Sequence, residues 1–169
     1  MNKIAILMAS ARSEGNTRKV ISHLMGQIEA DLYDLNDYEV GYYDYEHRQS
    51  DDFPKLMQAL VGYDYLILAT PVYWYSMSAQ MKTFFDRLTD LFEIHKPLYD
   101  SWAGKTWLTL SCGPDDDVPE FFAKPFAASA DYLNLNFAGW VHTWLEKGDL
   151  SAERKQAVKA WLKEAGLKE

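Results

Sequence analysis

Lys3-Ile4-Ala5-Ile6-Leu7-Met8-Ala9 runs directly into Ser10-Ala11-Arg12-Ser13-Glu14-Gly15-Asn16-Thr17. The first stretch is a short apolar run, the pattern of a strand buried on both faces. From Asn16 or Thr17 to Ala30 the pattern changes: Val20, Leu24 and Ile28 recur at i, i+4 and i+8, which predicts a helix. A buried strand joined by a short polar loop to a helix is the opening of a βαβ unit. Lys3, the apolar stretch Ile4 to Met8 and Ala9-Ser10-Ala11 imitate a signal peptide with its Ala-x-Ala cleavage site. That stretch falls short of the roughly 7–15 apolar residues of a signal, so it reads as the first strand.

The rest of the chain repeats the alternation. Asp31 to Leu35 predicts a second strand, and Asn36 to Asp51 a polar, Tyr-rich loop. Asp51 or Asp52 caps a helix running to about Val61, with Gly62 as its stop. Tyr63 to Thr70 reads as the third strand, ended by Pro71, which cannot donate to a sheet ladder. Ser78 to about Phe92 predicts a helix with Met81, Phe84, Phe85 and Leu88 on one face. Lys105 to Cys112 is the fourth strand, closed by Gly113-Pro114. Pro119 to Leu133 predicts a helix that starts on a Pro, where one is tolerated. Asn136 to Thr143 is the fifth strand, and Ser151 to Ala165 the last helix, with Val158, Trp161, Leu162 and Ala165 facing inward.

With no repeat and no linker, residues 1–169 read as one domain. Alternating strands and helices imply right-handed crossovers and a parallel sheet covered on both faces. The expected architecture is an α/β three-layer sandwich, with a five-stranded parallel sheet of order 2-1-3-4-5. Ligands of such sheets sit at the carboxyl ends of the strands. The loops after strands one, three and four are therefore where chemistry is expected.

The composition is 48% hydrophobic and 25% charged, that of a globular chain. A net charge of −8 argues against a nucleic-acid partner, which needs a basic surface. No apolar run reaches the length of a membrane helix. One cysteine, Cys112, can form no intrachain disulfide and no iron–sulfur cluster, so the reducing cytoplasm is the expected compartment. At a strand end, Cys112 reads as a small buried hydrophobe sooner than as a redox thiol. Histidines 23, 47, 95 and 142 show no metal-ligand spacing, and spacing alone reveals no catalytic Ser-His-Asp set or paired carboxylates.

Ser10 to Thr17 leads into a helix N-terminus, where unpaired N–H groups and a partial positive charge favour a phosphate. Ser10, Ser13, Asn16 and Thr17 add donors, Gly15 gives backbone room, and Arg12 adds a charged planar fork. Taken alone, the loop reads equally well as a polar turn with Asn16 as a helix cap. It lacks the spaced glycines of a dinucleotide loop and the Gly-Lys-Ser/Thr of a P-loop, so a single phosphomonoester is the expected ligand. After strand three, Thr70-Pro71-Val72-Tyr73-Trp74-Tyr75-Ser76-Met77-Ser78 sets three consecutive aromatics in a loop. Backbone N–H groups of Val72, Tyr73 and Trp74 suit a heteroatom-rich ring edge, and Tyr73 or Trp74 its face. Packing between helices or subunits is the alternative.

Ser-x-Arg-x-x-Gly-Asn-Thr at Ser10–Thr17, paired with Thr-Pro-Val-Tyr-Trp-x-x-x-Ser-Ala-Gln-Met-Lys-x-Phe-x-Asp-Arg at Thr70–Arg87, resembles the NAD(P)H-dependent FMN reductases of the flavodoxin-like superfamily. The branch with iron–sulfur flavoproteins and small flavin oxidoreductases is the most similar. The resemblance runs from the first through the fourth strand. It implies that Ser10, Arg12, Asn16 and Thr17 hold the FMN phosphate, with Gly15 giving room. It implies that Pro71, Val72, Tyr73 and Trp74 meet the isoalloxazine and ribityl chain, and that Ser111, Cys112 and Gly113 add a third contact. Lys82, Asp86 and Arg87 fit the pattern with a structural role, Lys82 and Asp86 at helical pairing distance.

The iron–sulfur members carry a cysteine cluster after strand two. Gly41-Tyr42-Tyr43-Asp44-Tyr45-Glu46-His47 has none, which excludes that centre. This loop roofs the flavin, meets a second subunit, or is ordinary surface. The resemblance implies an FMN oxidoreductase that takes hydride from NAD(P)H and passes electrons to a quinone, a flavin, or a nitro or azo compound. It needs no dedicated catalytic acid or base. It also implies a homodimer or higher homo-oligomer. A flavodoxin-type electron carrier and a flavin-free regulatory protein are the competing expectations. Flavodoxins usually lack a cation in the first loop, and this chain has Arg12 there.

Overall fold

Ile4–Met8 (β1) is an inner strand of the sheet, paired on both sides, and alternation along it decides both layers. In the computed structural model, which describes residues 2–168, Ala5 and Leu7 face one layer and Ile4, Ile6 and Met8 the other. The other strands are Asp31–Asp34 (β2), Tyr65–Pro71 (β3), Thr106–Cys112 (β4) and Asn136–Thr143 (β5). The five strands are parallel, in the order β2-β1-β3-β4-β5. This is the expected flavodoxin-like topology.

Asn16–Met25 (α1) and Ala152–Glu164 (α7) cover one face. Val20, Ile21 and Leu24 of α1 are fully buried there, each worth about 1.5–3 kcal/mol over exposure. Phe53–Leu60 (α2), Ala79–Arg87 (α3), Thr89–Glu93 (α4), Lys96–Asp100 (α5) and Lys124–Tyr132 (α6) belong to the other face. Its core is aromatic, with Phe53, Phe84, Trp107 and Phe126 fully buried. No helix among the described residues is long and apolar enough to cross a membrane.

Several boundaries differ from the sequence reading for local reasons. The first helix stops at Met25, not Ala30, with Gly26 as C-cap. The third strand does not stop before Pro71: Pro71 pairs with Cys112. The missing N–H of Pro71 faces β1, where Ala9 N already donates to Ala69 O at 2.9 Å and Ser78 Oγ donates to Ala9 O at 2.7 Å. The hydroxyl thus takes the carbonyl a residue-71 N–H would have reached, and the proline costs no ladder bond. The helix expected over Ser78–Phe92 breaks at Leu88, where Leu88 N and Leu91 N reach back only three residues. The helix expected from Pro119 starts at Lys124, after a 3-10 turn at Glu120–Ala123. Pro125 sits in its first turn and clashes with any α-helical turn before it. α5 follows His95 and was not anticipated.

Candidate functional site

β1 and β3 end side by side, with Met8 opposite Ala69, and β4 ends beside β3, with Cys112 opposite Pro71. The three expected loops therefore meet at one end of the sheet.

The first loop has the features that suit an anion. Gly15 is the N-cap of α1 and supplies no side-chain hydrogen bond, and the first turn carries no acid. Asn16 is the first helical residue and not the cap. The first N–H groups of α1 are thus left without a side-chain acceptor, unlike those of α3 and α7, which Ser78 and Ser151 cap. Arg12 is exposed and folds back over Gly15: a Cβ on Gly15 would lie 3.8 Å from Arg12 Nε and 3.4 Å from Arg12 O. The structure thereby places a cation and a bare helix N-terminus together. Ser10 and Thr17 are buried at the base of the loop, and Asn16 is exposed. Ser10 Oγ accepts from Arg12 N at 3.5 Å.

Two residues that the sequence reading passed over hold this loop. Asn36, just past β2, donates from Nδ2 to Ser10 O at 2.8 Å and to Ser13 Oγ at 3.3 Å. β2 ends beside β1, with Met8 opposite Asp34, so topology alone puts the first polar residues after β2 against the loop after β1. Ser78 caps α3 by accepting from Met81 N at 3.1 Å while it donates to Ala9 O. Its own N–H donates to Thr70 Oγ1 at 3.0 Å. One buried residue thereby ties the ends of β1, β3 and α3 together.

The loop after β3 is a tight hairpin. Tyr73 N donates to Ser76 O at 2.9 Å, and Ser76 N to Tyr73 O at 3.0 Å. Trp74 and Tyr75 fill the turn with φ of +49° and +62°. That is a two-residue turn of the kind normally made by Asn-Gly. Bulky residues in left-handed backbone cost about 1–3 kcal/mol each, a strain that tends to mark function. Trp74 is 94% exposed, and Tyr73 and Tyr75 are exposed beside it. The geometry corrects which N–H groups are free. Val72 N donates to Cys112 O at 2.9 Å and Tyr73 N is used in the turn, so neither can serve a ligand as expected. Of the three, only the Trp74 N–H enters no described hydrogen bond, and Tyr75, which was not expected, shares that state.

The end of β4 is buried throughout. Ser111 Oγ turns towards β5, where it meets Trp140 Nε1 at 2.7 Å and His142 Nδ1 at 2.8 Å. Cys112 points to the opposite face, beside Thr17, and burial pushes its thiol up to about 11 against a small opposing effect of the Thr17 hydroxyl. It is an inert core thiol at neutral pH. Neither side chain is open to a ligand, and the Gly113 N–H already donates to Thr143 O at 3.1 Å, which leaves the Gly113 carbonyl and Cα surface as what this loop offers.

The Tyr-rich segment after β2 is pinned by Arg87. Arg87 Nε donates to Asp90 Oδ2 at 2.7 Å, and its NH1 to Gly41 O at 3.0 Å and to Asp51. Burial alone would raise the Asp51 carboxyl. The Arg87 hydrogen bonds and the N–H groups of Gly41 and Phe53 outweigh it and hold the carboxyl below its usual range. His47 reaches Asp90 at 3.3 Å and Glu93 at 3.1 Å, and Tyr43 donates to Glu93 at 2.9 Å. Lys82 pairs with Asp86 on the surface of α3. A groove of about 340 Å³ lies between this segment and α3, lined by Asn36, Tyr38, Tyr42, Ala79, Gln80 and Thr83. A larger one, about 950 Å³, lies away from the three loops, among Lys3, Gln27, Asp31 and Tyr63.

Comparison with known proteins gives the family. Residues 2–118, which hold all three loops, match the family model described as NADPH-dependent FMN reductase. An NADPH azoreductase of Bacillus sp. (strain OY1-2) is 35% identical over 98 residues, 57% of this chain and 55% of that protein. The chain thus spans about half the length of that relative. The solved Trp repressor binding protein of Bacillus subtilis shares the fold at a TM-score of 0.72 and 22% identity, over 94% of this chain and 95% of that one. So does an FMN-dependent NADH-azoreductase of Bacillus anthracis, solved with FMN, at a TM-score of 0.65 and 14% identity over 98% of each chain. The chain belongs to the NADPH-dependent FMN reductase family.

Proposed function

We propose that this chain is an FMN-dependent oxidoreductase that takes electrons from NAD(P)H and delivers them to a small planar acceptor. The carrying observation is the uncapped N-terminus of α1 under Arg12, beside the exposed, strained Trp74-Tyr75 turn. The first suits a terminal phosphate and the second the face of a flat ring. Bound FMN would supply the two-electron chemistry. The chain's part is to bind and orient it. Arg12, the amides from Gly15 to Thr17 and the Asn16 side chain hold the phosphate, with Ser10 and Thr17 shaping the base of the loop. Pro71, Val72, Tyr73 and Trp74 line the ring, the Trp74 and Tyr75 N–H groups being the free donors. Ser111, Cys112 and Gly113 close the third side, with Cys112 O staying on Val72 N and Gly113 N on Thr143 O.

A quinone, a free flavin, or a nitro or azo compound fits as acceptor. The exposed Tyr42, Tyr45 and Trp74 side chains support a homodimer or higher homo-oligomer, and a lone buried thiol suits the cytoplasm. The test is a visible spectrum of the pure protein with added FMN, followed by NADPH and an acceptor. A flavin spectrum that bleaches and recovers over many turnovers is expected. Binding without NAD(P)H oxidation would replace the enzyme by a carrier, and no binding would refute the reading.

A further inference from the structure

The carboxyl end of β5 carries a hydrogen-bond chain whose direction chemistry fixes. Trp140 Nε1 lies 2.7 Å from Ser111 Oγ, Ser111 Oγ 2.8 Å from His142 Nδ1, and His142 Nε2 2.8 Å from Asp115 O. The Asp115 carbonyl only accepts, so Nε2 carries a hydrogen. The indole N–H only donates, so Ser111 Oγ accepts from it. In a neutral ring Nδ1 is then bare and accepts the Ser111 hydroxyl hydrogen. Ser111 is fully buried, so this Ser–His pair is not a nucleophile open to substrate.

The same ring sets the loop after β4. A Cβ on Gly113 would fall 2.9 Å from His142 Cε1 and 3.1 Å from Nε2, so the ring rests on Gly113 while it holds the carbonyl of Asp115. We propose that His142 is a positioning residue of the site, which holds Gly113–Asp115 in place as a neutral ring and shifts it when protonated. This rests on the reading of Gly113 as a contact of FMN.

The argument for the shift is one of counting hydrogens. A charged ring presents Nδ1–H to Ser111 Oγ, whose second lone pair can take it, but the Ser111 hydrogen then loses its acceptor in a buried place, while Nε2–H still donates to Asp115 O. The charged ring is driven off Ser111, and the loop resting on it follows. The groups around the ring are Ser111 of β4, Trp140, Trp144, the Asp115 and Asp116 carboxylates and Arg154 of α7. Burial disfavours the charged ring most, Arg154 adds to it, and Asp115 and Asp116 oppose. The balance holds the imidazole below its ordinary value of 6.5, so the ring is neutral at pH 7.

Two measurements on the full chain test this. In the ligand-free protein at pH 7, imidazole 15N shifts should show His142 with the hydrogen on Nε2, and the Gly113 and Asp115 amide signals should move with the ring as it titrates below pH 6.5. A hydrogen on Nδ1, a ring charged at pH 7, or amides that ignore the ring would overturn the inference. FMN affinity, measured from pH 7.5 to 5, should fall about three- to tenfold more in the wild type than in His142→Gln. Gln keeps one acceptor and one donor but does not titrate, and the difference cancels the titration of the phosphate itself. Equal pH curves would overturn the inference. If neither protein binds FMN while the amides still follow the ring, the cofactor reading fails and control of the loop by His142 stands.

Discussion

Replacing Arg87 by leucine tests whether the Tyr-rich segment is held by a buried ion network. The Arg87 side chain is 3% exposed, Asp90 also 3% and Asp51 10%. Removing the guanidinium leaves two carboxylates and the Gly41 carbonyl without their shared donor, and removes a cation 4.7 Å above the Phe53 ring. Breaking a buried ion pair on one side costs about 3–5 kcal/mol. Asp51 keeps the Gly41 and Phe53 N–H groups at 2.8 and 3.1 Å, which sets the expectation at the lower end, about 3 kcal/mol. That is a large share of the about 5–15 kcal/mol typical of a domain. Urea unfolding at pH 7 measures it through the midpoint at constant m-value. The pH dependence has a fixed sign. Asp51 has its carboxyl held below 3.8, so the stability it contributes is present above that value and lost as pH falls through the lowered one. The gap between wild type and Arg87→Leu should therefore be full at neutral pH and close towards pH 3. A loss below about 1 kcal/mol, or a gap that keeps its width down to pH 3, would refute the reasoning.

Arg12→Ala should weaken FMN binding by about 1–3 kcal/mol, read by fluorescence titration, with the melting temperature unchanged; equal affinity would mean that the amides of α1 suffice. Trp74→Asn with Tyr75→Gly relieves the left-handed strain, so the melting temperature should rise while FMN affinity and NADPH oxidation fall. A rise without loss of binding would remove the turn from the site. Gly113→Ala puts a methyl against the His142 ring and should cost about 1–3 kcal/mol of stability by thermal unfolding.

The sheet was legible because each strand is a short apolar run closed by a turn residue, and because the alternation admits few topologies. The loop after β1 was half legible. Its residue types allowed a capped turn, and only the geometry shows that Gly15, which has no side chain to offer, occupies the cap. What sequence could not supply were contacts set by neighbouring strands. Asn36 reaches Ser10 O from 26 positions away and Ser78 reaches Ala9 O from 69, and neither distance leaves a local pattern. The Pro71 boundary failed for a related reason: the rule against proline in a ladder assumes an unmet bond, and a distant hydroxyl had already met it. The direction of Ser111 was hidden because a buried serine at a strand end gives no sign of which neighbour its hydroxyl serves.

Two of the bonds through Asn36 and Ser78 end on main-chain oxygens of Ser10 and Ala9, atoms that every amino acid carries, and a third reaches the Ser13 hydroxyl. The frame that aligns the strand ends is therefore indifferent to what the loop tips contain. Residues 11, 12, 14 and 15 and the two at the hairpin apex can be exchanged without breaking these bonds. Variation there can retune what the pocket accepts while the fold stays as it is, which makes these tips the natural place to diversify the protein in a library.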